Sequence, residues 1–226
     1  MIETLVQALF PATCAGCGEV LAAGERQVCL ACLSSLAATD YSRMENNAVE
    51  RRLIGRVPYV AATSLYHFRT GDKVRLLVHS MKFHSGTELC VMMGRQMGLD
   101  LAASGRFDDI DLLVPVPLHW LRRLHRGYNQ SELLCRGIAE VLTRPIETNA
   151  LVRKRYTRKQ SLQNHRMRSE NVEGAFRVRR PDLLKGKHVL LVDDVLTTGA
   201  TLAACADALS AVPDLRISVA TFSVAD

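Results

Sequence analysis

Two adjacent acids, Asp193 and Asp194, end the apolar run Val189-Leu190-Leu191-Val192 of this 226-residue chain. After Val195 and Leu196 comes a small, hydroxyl-rich stretch, Thr197-Thr198-Gly199-Ala200-Thr201. An apolar strand that delivers two carboxylates at its C-terminal end puts hydrogen-bond acceptors where sugar hydroxyls can reach them. A turn that opens a helix offers backbone N–H groups and the positive end of the helix dipole to an anion. Gly199 allows close approach and the threonine hydroxyls add donors. Together these residues have the chemistry to hold a phosphorylated sugar.

Paired aspartates after an apolar strand also occur in receiver domains and in Walker B segments. In a receiver domain most of the fold follows the acids, whereas here the pattern leaves one helix and one strand. A Walker B reading needs a G-x-x-x-x-G-K-[ST] loop upstream, which the sequence lacks. A purely structural strand, turn and helix is the remaining alternative.

A second constellation is Cys14-x2-Cys17 and, eleven residues on, Cys29-x2-Cys32. Each pair can turn on a tight knuckle and aim two thiolates at one ion, and two pairs complete the four-sulfur tetrahedron that structural Zn2+ prefers. A closed thiolate shell leaves no position for substrate, so the metal is read as structural. Cys90, Cys135 and Cys205 fall within helical patterns and are expected as packed core thiols. The seven histidines show no metal-ligand spacing to one another.

The elements that must position these groups follow from periodicity. Residues 1–10 have Ile2, Leu5, Val6 and Leu9 on one helical face. Residues 11–36 are turn-rich and too small to close a core unaided, and 37–57 are polar and read as a linker. Strands are expected over 60–68, 111–117, 187–195 and 216–224, and helices over 72–83, 86–103, 129–142 and 200–211. Apolar strands alternating with helices argue for an α/β fold with a parallel sheet covered on both faces. The basic segment 153–168 has no apolar periodicity and reads as a long loop of the kind that is usually functional or disordered.

Composition sets outer bounds. Apolar residues make up 48% and charged residues 23%, the balance of a globular protein, and the length suits one α/β domain with a small appendage. A net charge of +6 points to anionic partners without choosing among them. The start lacks a basic leader and its apolar stretch ends at Pro11, so no secretory signal is expected. No apolar run is long enough to span a bilayer, and membrane insertion is not expected. The cysteines then belong in a reducing compartment, and the expected location is the cytoplasm.

Val192-Asp193-Asp194-Val195-Leu196-Thr197-Thr198-Gly199-Ala200-Thr201 resembles the signature of type I phosphoribosyltransferases for 5-phosphoribosyl-1-pyrophosphate (PRPP). With the cysteine knuckles, Pro115-Val116-Pro117-Leu118-His119, Arg126-Gly127-Tyr128-Asn129-Gln130 and the 160–176 segment, the chain is similar over nearly its whole length to the ComF family, including GntX-like proteins. The resemblance implies a type I phosphoribosyltransferase domain over 58–226 behind a helix and zinc ribbon over 1–36. Asp193 and Asp194 would orient the ribose and 197–201 would hold its 5-phosphate. Val116, Pro117, Leu118 and His119 would stand where the pyrophosphate loop lies, and Lys82 matches a basic position near the phosphates. Arg126 and Arg168 would complete the catalytic set, with Mg2+ accompanying PRPP.

In that family Thr157, Gln160, Arg168, Asn171 and Phe176 fall in the catalytic hood, with Leu162 one residue early for the pattern. The same loop arginines suit a nucleic-acid backbone equally well. Family members are linked to DNA uptake and use in competence, which makes single-stranded DNA or a competence helicase candidate partners. A non-catalytic PRPP sensor is therefore an alternative to an enzyme. The acceptor base is not identified, and aromatic content of 5% gives little basis for a stacking platform.

Overall fold

Aliphatic and β-branched runs pair side by side as a parallel sheet in the computed structural model, which describes residues 11–69, 71–83, 86–154 and 174–225. The strands are β1 (Tyr59–Phe68), β2 (Leu112–Pro115), β3 (Leu151–Arg153), β4 (Phe176–Val178), β5 (His188–Leu196) and β6 (Arg216–Ala225). The main sheet has the order β1-β6-β5-β2 with every pairing parallel, and β3 and β4 form a small antiparallel pair. Helices are α1 (Leu30–Ser34), α2 (Ala48–Leu53), α3 (Lys73–Ser80), α4 (Thr87–Ala102), α5 (Trp120–Arg126), α6 (Gln130–Leu142) and α7 (Ala200–Leu209). All four expected core strands are present, as are the four helices expected over 72–83, 86–103, 129–142 and 200–211.

The apolar run of β5 is continuous rather than alternating because both faces are covered. Leu190 and Val192 join α3, α4 and α6 on one side, whereas Val189 and Leu191 join α2 and α7 on the other. Cys90, Cys135 and Cys205 are buried in these cores, as expected. Chain leaving β2 thus runs over one face and chain leaving β5 over the other. In an open parallel sheet that divergence leaves a crevice beyond the C-terminal strand ends, the usual ligand position.

The polar segment 37–57 is not an open linker. It forms a 3-10 turn at Tyr41–Arg43 and α2, and Val49 and Leu53 are completely buried. Asn47 caps α2 through Val49 N–H (2.9 Å) and Glu50 N–H (3.0 Å), and its side-chain amide donates to Ala62 C=O (2.8 Å). Glu50 accepts from Ala62 N–H (3.2 Å) and pairs with Arg106 (2.6 Å). Both backbone groups of Ala62 on the edge strand β1 are therefore satisfied by side chains, and Ala38 bridges Tyr66 farther along. A bare sheet edge is a liability, and this segment covers it. Composition misleads here because the polar side chains point inward, to partners far apart in sequence.

Helices α4 and α6 meet backbone to backbone. A Cβ on Gly137 would lie 2.1 Å from Val91 O, and one on Gly94 would lie 2.2 Å from Leu134 O. No rotamer relieves such an overlap, so the helices would have to separate. Gly137→Ala should lower stability by about 3 kcal/mol, as overpacking against rigid backbone does. Urea denaturation checks this, with Ala139→Gly, in the same helix, as a comparison that loses helix propensity and a half-buried methyl but forces no backbone overlap.

Candidate functional site

The acids of β5 separate at the strand end, since successive side chains point to opposite faces. Asp193 accepts from the Ser131 hydroxyl at the start of α6 (3.1 Å) and from Asp194 N–H (3.0 Å). Asp194 turns its carboxylate to Val195 N–H (2.8 Å), and its charge reinforces burial in pushing the Cys90 thiol up to about 12. Burial, and after it the neighbouring Asp194 charge, raises the Asp193 carboxyl to about 8, against the opposing pull of its two donors. Burial beside a second carboxylate thus favours the protonated form of Asp193 in the ligand-free protein.

Beyond Leu196 the chain turns through exposed Thr197 and Thr198 to Gly199, whose φ of 78° is left-handed, and enters α7. No side chain caps α7 directly from Gly199; the nearest donor-acceptor pair is Ala200 N–H with Thr198 Oγ1 at 3.4 Å. Among the described residues, the N–H groups of Thr198, Gly199, Thr201 and Leu202 find no protein acceptor. Their carbonyl neighbours are occupied: Arg52 donates to Thr197 C=O (3.0 Å) and Arg56 to Thr198 C=O. Donors left open beside acceptors already filled are an arrangement with the chemistry to hold an anion.

Across the crevice, Val116 extends the β2–β5 pairing through Val192 C=O (2.9 Å). Pro117 and Leu118 follow half-buried, and His119 is buried as the cap of α5, its Nδ1 accepting from Leu121 N–H (3.3 Å). Burial, then Arg153 and Arg122, depresses the His119 pKa and so disfavours the charged ring. Asn129 ties this wall to the acids: its amide donates to Val116 C=O (3.0 Å) while its oxygen caps α6 at Ser131 N–H (3.3 Å). Tyr128 hydroxyl reaches the carbonyls of Met81 (2.8 Å) and Phe83, which fixes the turn that carries Lys82.

Arg126 ends α5 close to the Tyr128 ring, and among the described contacts none joins it to Asp193. Arg153 is nearer to the acids. Its guanidinium stacks 5.3 Å from the centre of the Phe176 ring and feels both Arg122 and Asp193. Arg123 instead pairs with Glu132 (3.3 Å). Arg168, Thr157, Gln160 and Asn171 lie outside the described residues, as does the helix expected over 1–10.

Ser131, Arg52 and Arg56 are the site residues that sequence reasoning did not single out, and Arg153 entered it only among the loop arginines suited to a nucleic-acid backbone. Ser131 follows directly on Arg126–Gln130, a signal that was there to use. The helix α5 was also missed, because its Trp120 and Leu124 are exposed and leave no burial pattern to read. At the opposite end of the sheet, buried His188 lies 3.0 Å from Ser218 Oγ and 3.0 Å from Asp109. This resembles a nucleophile-base-acid line, but Ser218 is fully buried and reaches no solvent, so His188 is a satisfied core histidine.

The four knuckle cysteines bring their sulfurs within 4.8 Å of one another, with Cys17 and Cys29 at 3.8 Å. Four thiolates ~2.3 Å from one tetrahedral ion stand ~3.8 Å apart, so the cluster fits a metal such as Zn2+. Burial raises the Cys14 pKa, but N–H donation from Cys29, Gly16 and Cys17 outweighs it and brings the thiol down to about 6. A Cβ on Gly16 would lie 3.1 Å from Cys32 Sγ, which explains the glycine inside the knuckle.

The profile of the phosphoribosyl transferase domain family matches residues 129–223, the span that holds Asn129, Ser131, both acids and the turn. DNA utilization protein YhgH of Escherichia coli O157:H7 is 35% identical over 152 residues, which cover 66% of this chain and 64% of that protein. Competence protein F of Haemophilus influenzae is 30% identical over 58% of this chain and 59% of its own length. Competence protein ComFC of Bacillus subtilis is 33% identical over 40% of this chain and 35% of its own. The match thus spans less than two thirds of each of these relatives. Among solved structures, a glutamine PRPP amidotransferase from B. subtilis aligns with a TM-score of 0.42 and 18% identity over 61% of this chain and 26% of that one. No helix among the described residues is long and apolar enough to cross a membrane.

Two outcomes follow from this geometry. An acid whose folded pKa is raised keeps its full stabilising contribution below its unfolded pKa and loses it as pH climbs through the folded value. Relative to Asp193→Asn, wild-type stability should therefore fall by up to ~1.4 kcal/mol per pH unit between about pH 5 and 8, as followed by urea denaturation across that range. Metal analysis of the purified protein should find one tetrahedral cation per chain, and Cys32→Ser should lose it with a lowered Tm.

Proposed function

We propose, from the phosphoribosyl transferase domain that residues 129–223 carry, that the crevice binds PRPP with Mg2+ and transfers its phosphoribosyl group to a nitrogen acceptor. The observation that carries this reading is the cradle of open N–H groups at 198, 199, 201 and 202, directly after the two acids. The 5-phosphate would sit on that cradle and the ribose hydroxyls at Asp193 and Asp194. Pyrophosphate would lie along Val116–His119, within reach of Arg153, Arg122 and Lys82. In the transfer, a bond forms between the acceptor nitrogen and C1 while the C1–oxygen bond to pyrophosphate breaks, and the electron pair leaves with pyrophosphate.

The chain's own residues meet the demands of that step. Cationic side chains neutralise the departing oxygens, and carboxylates beside the ribose stabilise positive charge developing on it. The hard-oxygen donors Asp193 and Asp194 suit Mg2+, which binds through one or two carboxylates plus substrate phosphates and supplies charge neutralisation when present. A protonated Asp193 must then lose its proton as hydroxyl donors and cation arrive. The four-cysteine ribbon holds structural Zn2+, and reduced thiols of this kind suit the cytoplasm.

The relatives' names favour a second reading. They refer to DNA utilization and competence rather than to a salvage reaction. In that reading the same crevice senses PRPP without turnover, and the basic segment that begins at Arg153 engages single-stranded DNA or a helicase partner.

Calorimetry should show PRPP binding in the presence of Mg2+, weakened at least about tenfold by Asp193→Ala with Asp194→Ala. Binding below pH 8 should release a proton, seen as a dependence of the measured heat on buffer ionisation enthalpy, and the release should fade above about pH 9. PRPP heat that survives the double substitution overturns the site. Pyrophosphate release with a panel of free bases separates enzyme from sensor, and salt-sensitive DNA affinity without such release supports the sensor.

A further inference from the structure

Arg52 and Arg56 stand at the end of a segment whose composition reads as a connection, yet they touch the anion cradle across more than 140 residues of sequence. Arg52 closes α2 and Arg56 follows it, with Leu53 between them packed against Gly199 at 3.1 Å from where a Cβ would lie. Arg52 Nη1 donates to Thr197 C=O (3.0 Å) and also to Ala225 C=O at the end of β6. Arg56 Nη1 donates to Thr198 C=O. Helix α2 is itself anchored on β1 through Asn47 and Glu50, so the two guanidinium groups are carried by a fixed support.

The consequence follows from peptide geometry. The peptide bonds of this turn are trans, and in a trans peptide the C=O of one residue points opposite to the N–H of the next. Holding Thr197 C=O against Arg52 therefore turns Thr198 N–H the other way, and holding Thr198 C=O against Arg56 does the same for Gly199 N–H. These are two of the four N–H groups without a protein acceptor among the described residues. A short turn with exposed threonines would otherwise be free to rotate its peptide planes and present a carbonyl to the anion, which repels it.

We infer that Arg52 and Arg56 are positioning residues for the 5-phosphate: they grip the outer, carbonyl side of the Thr197–Gly199 turn and thereby aim its N–H groups at the ligand. They act from behind the turn and need not touch phosphate themselves. The segment 48–56 is then part of the binding site. This inference rests on the proposed reading of the turn as a phosphate cradle, and it assigns the arginines to one end of the ligand only.

The test uses the full-length protein with Arg52→Ala, Arg56→Ala and the double variant, and two probes, ribose 5-phosphate and Mg2+-pyrophosphate. Amide resonances of Thr198 and Gly199 in 1H–15N spectra report the cradle directly. In wild type both should shift on addition of ribose 5-phosphate. In the double variant that shift should be lost and ribose 5-phosphate should bind about tenfold or more weakly, the scale of a misaligned charge-assisted hydrogen-bond pair, while Mg2+-pyrophosphate changes less than about twofold. Arg56→Ala alone, which removes an exposed side chain whose bond among the described residues is to Thr198 C=O, keeps the test available if the double variant does not fold. Its Gly199 shift should fall while Tm holds, and restoration by Arg56→Lys marks the role as carbonyl gripping. Unchanged affinity and unchanged amide shifts in the variants overturn the inference and leave the cradle standing. Wild type that binds neither ribose 5-phosphate nor PRPP overturns the cradle and the inference together.

Discussion

A strand paired on both edges and covered on both faces ends here in two carboxylates and a turn of open N–H groups, and the rest of the chain is arranged around that ending. Burial of β5 makes its end rigid, and rigidity is what lets a handful of polar groups hold a fixed geometry toward a small ligand. The helices after β2 and β5 depart over opposite faces, which opens the crevice at that end and nowhere else along the strand. The close contact of Gly94 with Gly137 serves the same end, since it locks α6 and hence Ser131 and Asn129 at its start.

Electrostatically the crevice is tense when empty. Burial and its neighbour raise the Asp193 carboxyl, the amides of Thr198, Gly199, Thr201 and Leu202 lack protein acceptors among the described residues, and burial, with Arg153 and Arg122, depresses His119. Burial of the carboxyl and crowding of the cations cost stability in the free protein, and a ligand that brings anionic oxygens, hydroxyl donors and a cation would relieve them. Sites that bind charged substrates commonly carry such unrelieved groups, with the cost met elsewhere in the fold. The large buried cores on both sheet faces are where that compensation lies.

Polar side chains in this protein are as much structural as chemical. Asn47 and Glu50 satisfy both backbone groups of Ala62, Asn129 joins the Val116 end of β2 to α6, and Tyr128 holds the turn around Lys82. Each reaches the backbone of a segment remote in sequence. Such bonds in a desolvated setting are expensive to leave unmade, so they specify one arrangement rather than merely adding to its stability.

Periodicity and local chemistry were enough to place the four core strands, their helices, the cysteine knuckles and the acid-turn motif, because each depends on residues adjacent in the chain. The strand-turn-helix around Asp193 carries its own geometry, and two Cys-x2-Cys pairs carry theirs. Tertiary structure alone decided that 37–57 covers a sheet edge, that Arg52 and Arg56 stand behind the turn, that Ser131 meets Asp193 and that Arg153 faces the acids. Those contacts join residues from 12 to more than 140 positions apart. No local pattern encodes them, since a polar residue that bonds a distant carbonyl looks, in sequence, like one that bonds water.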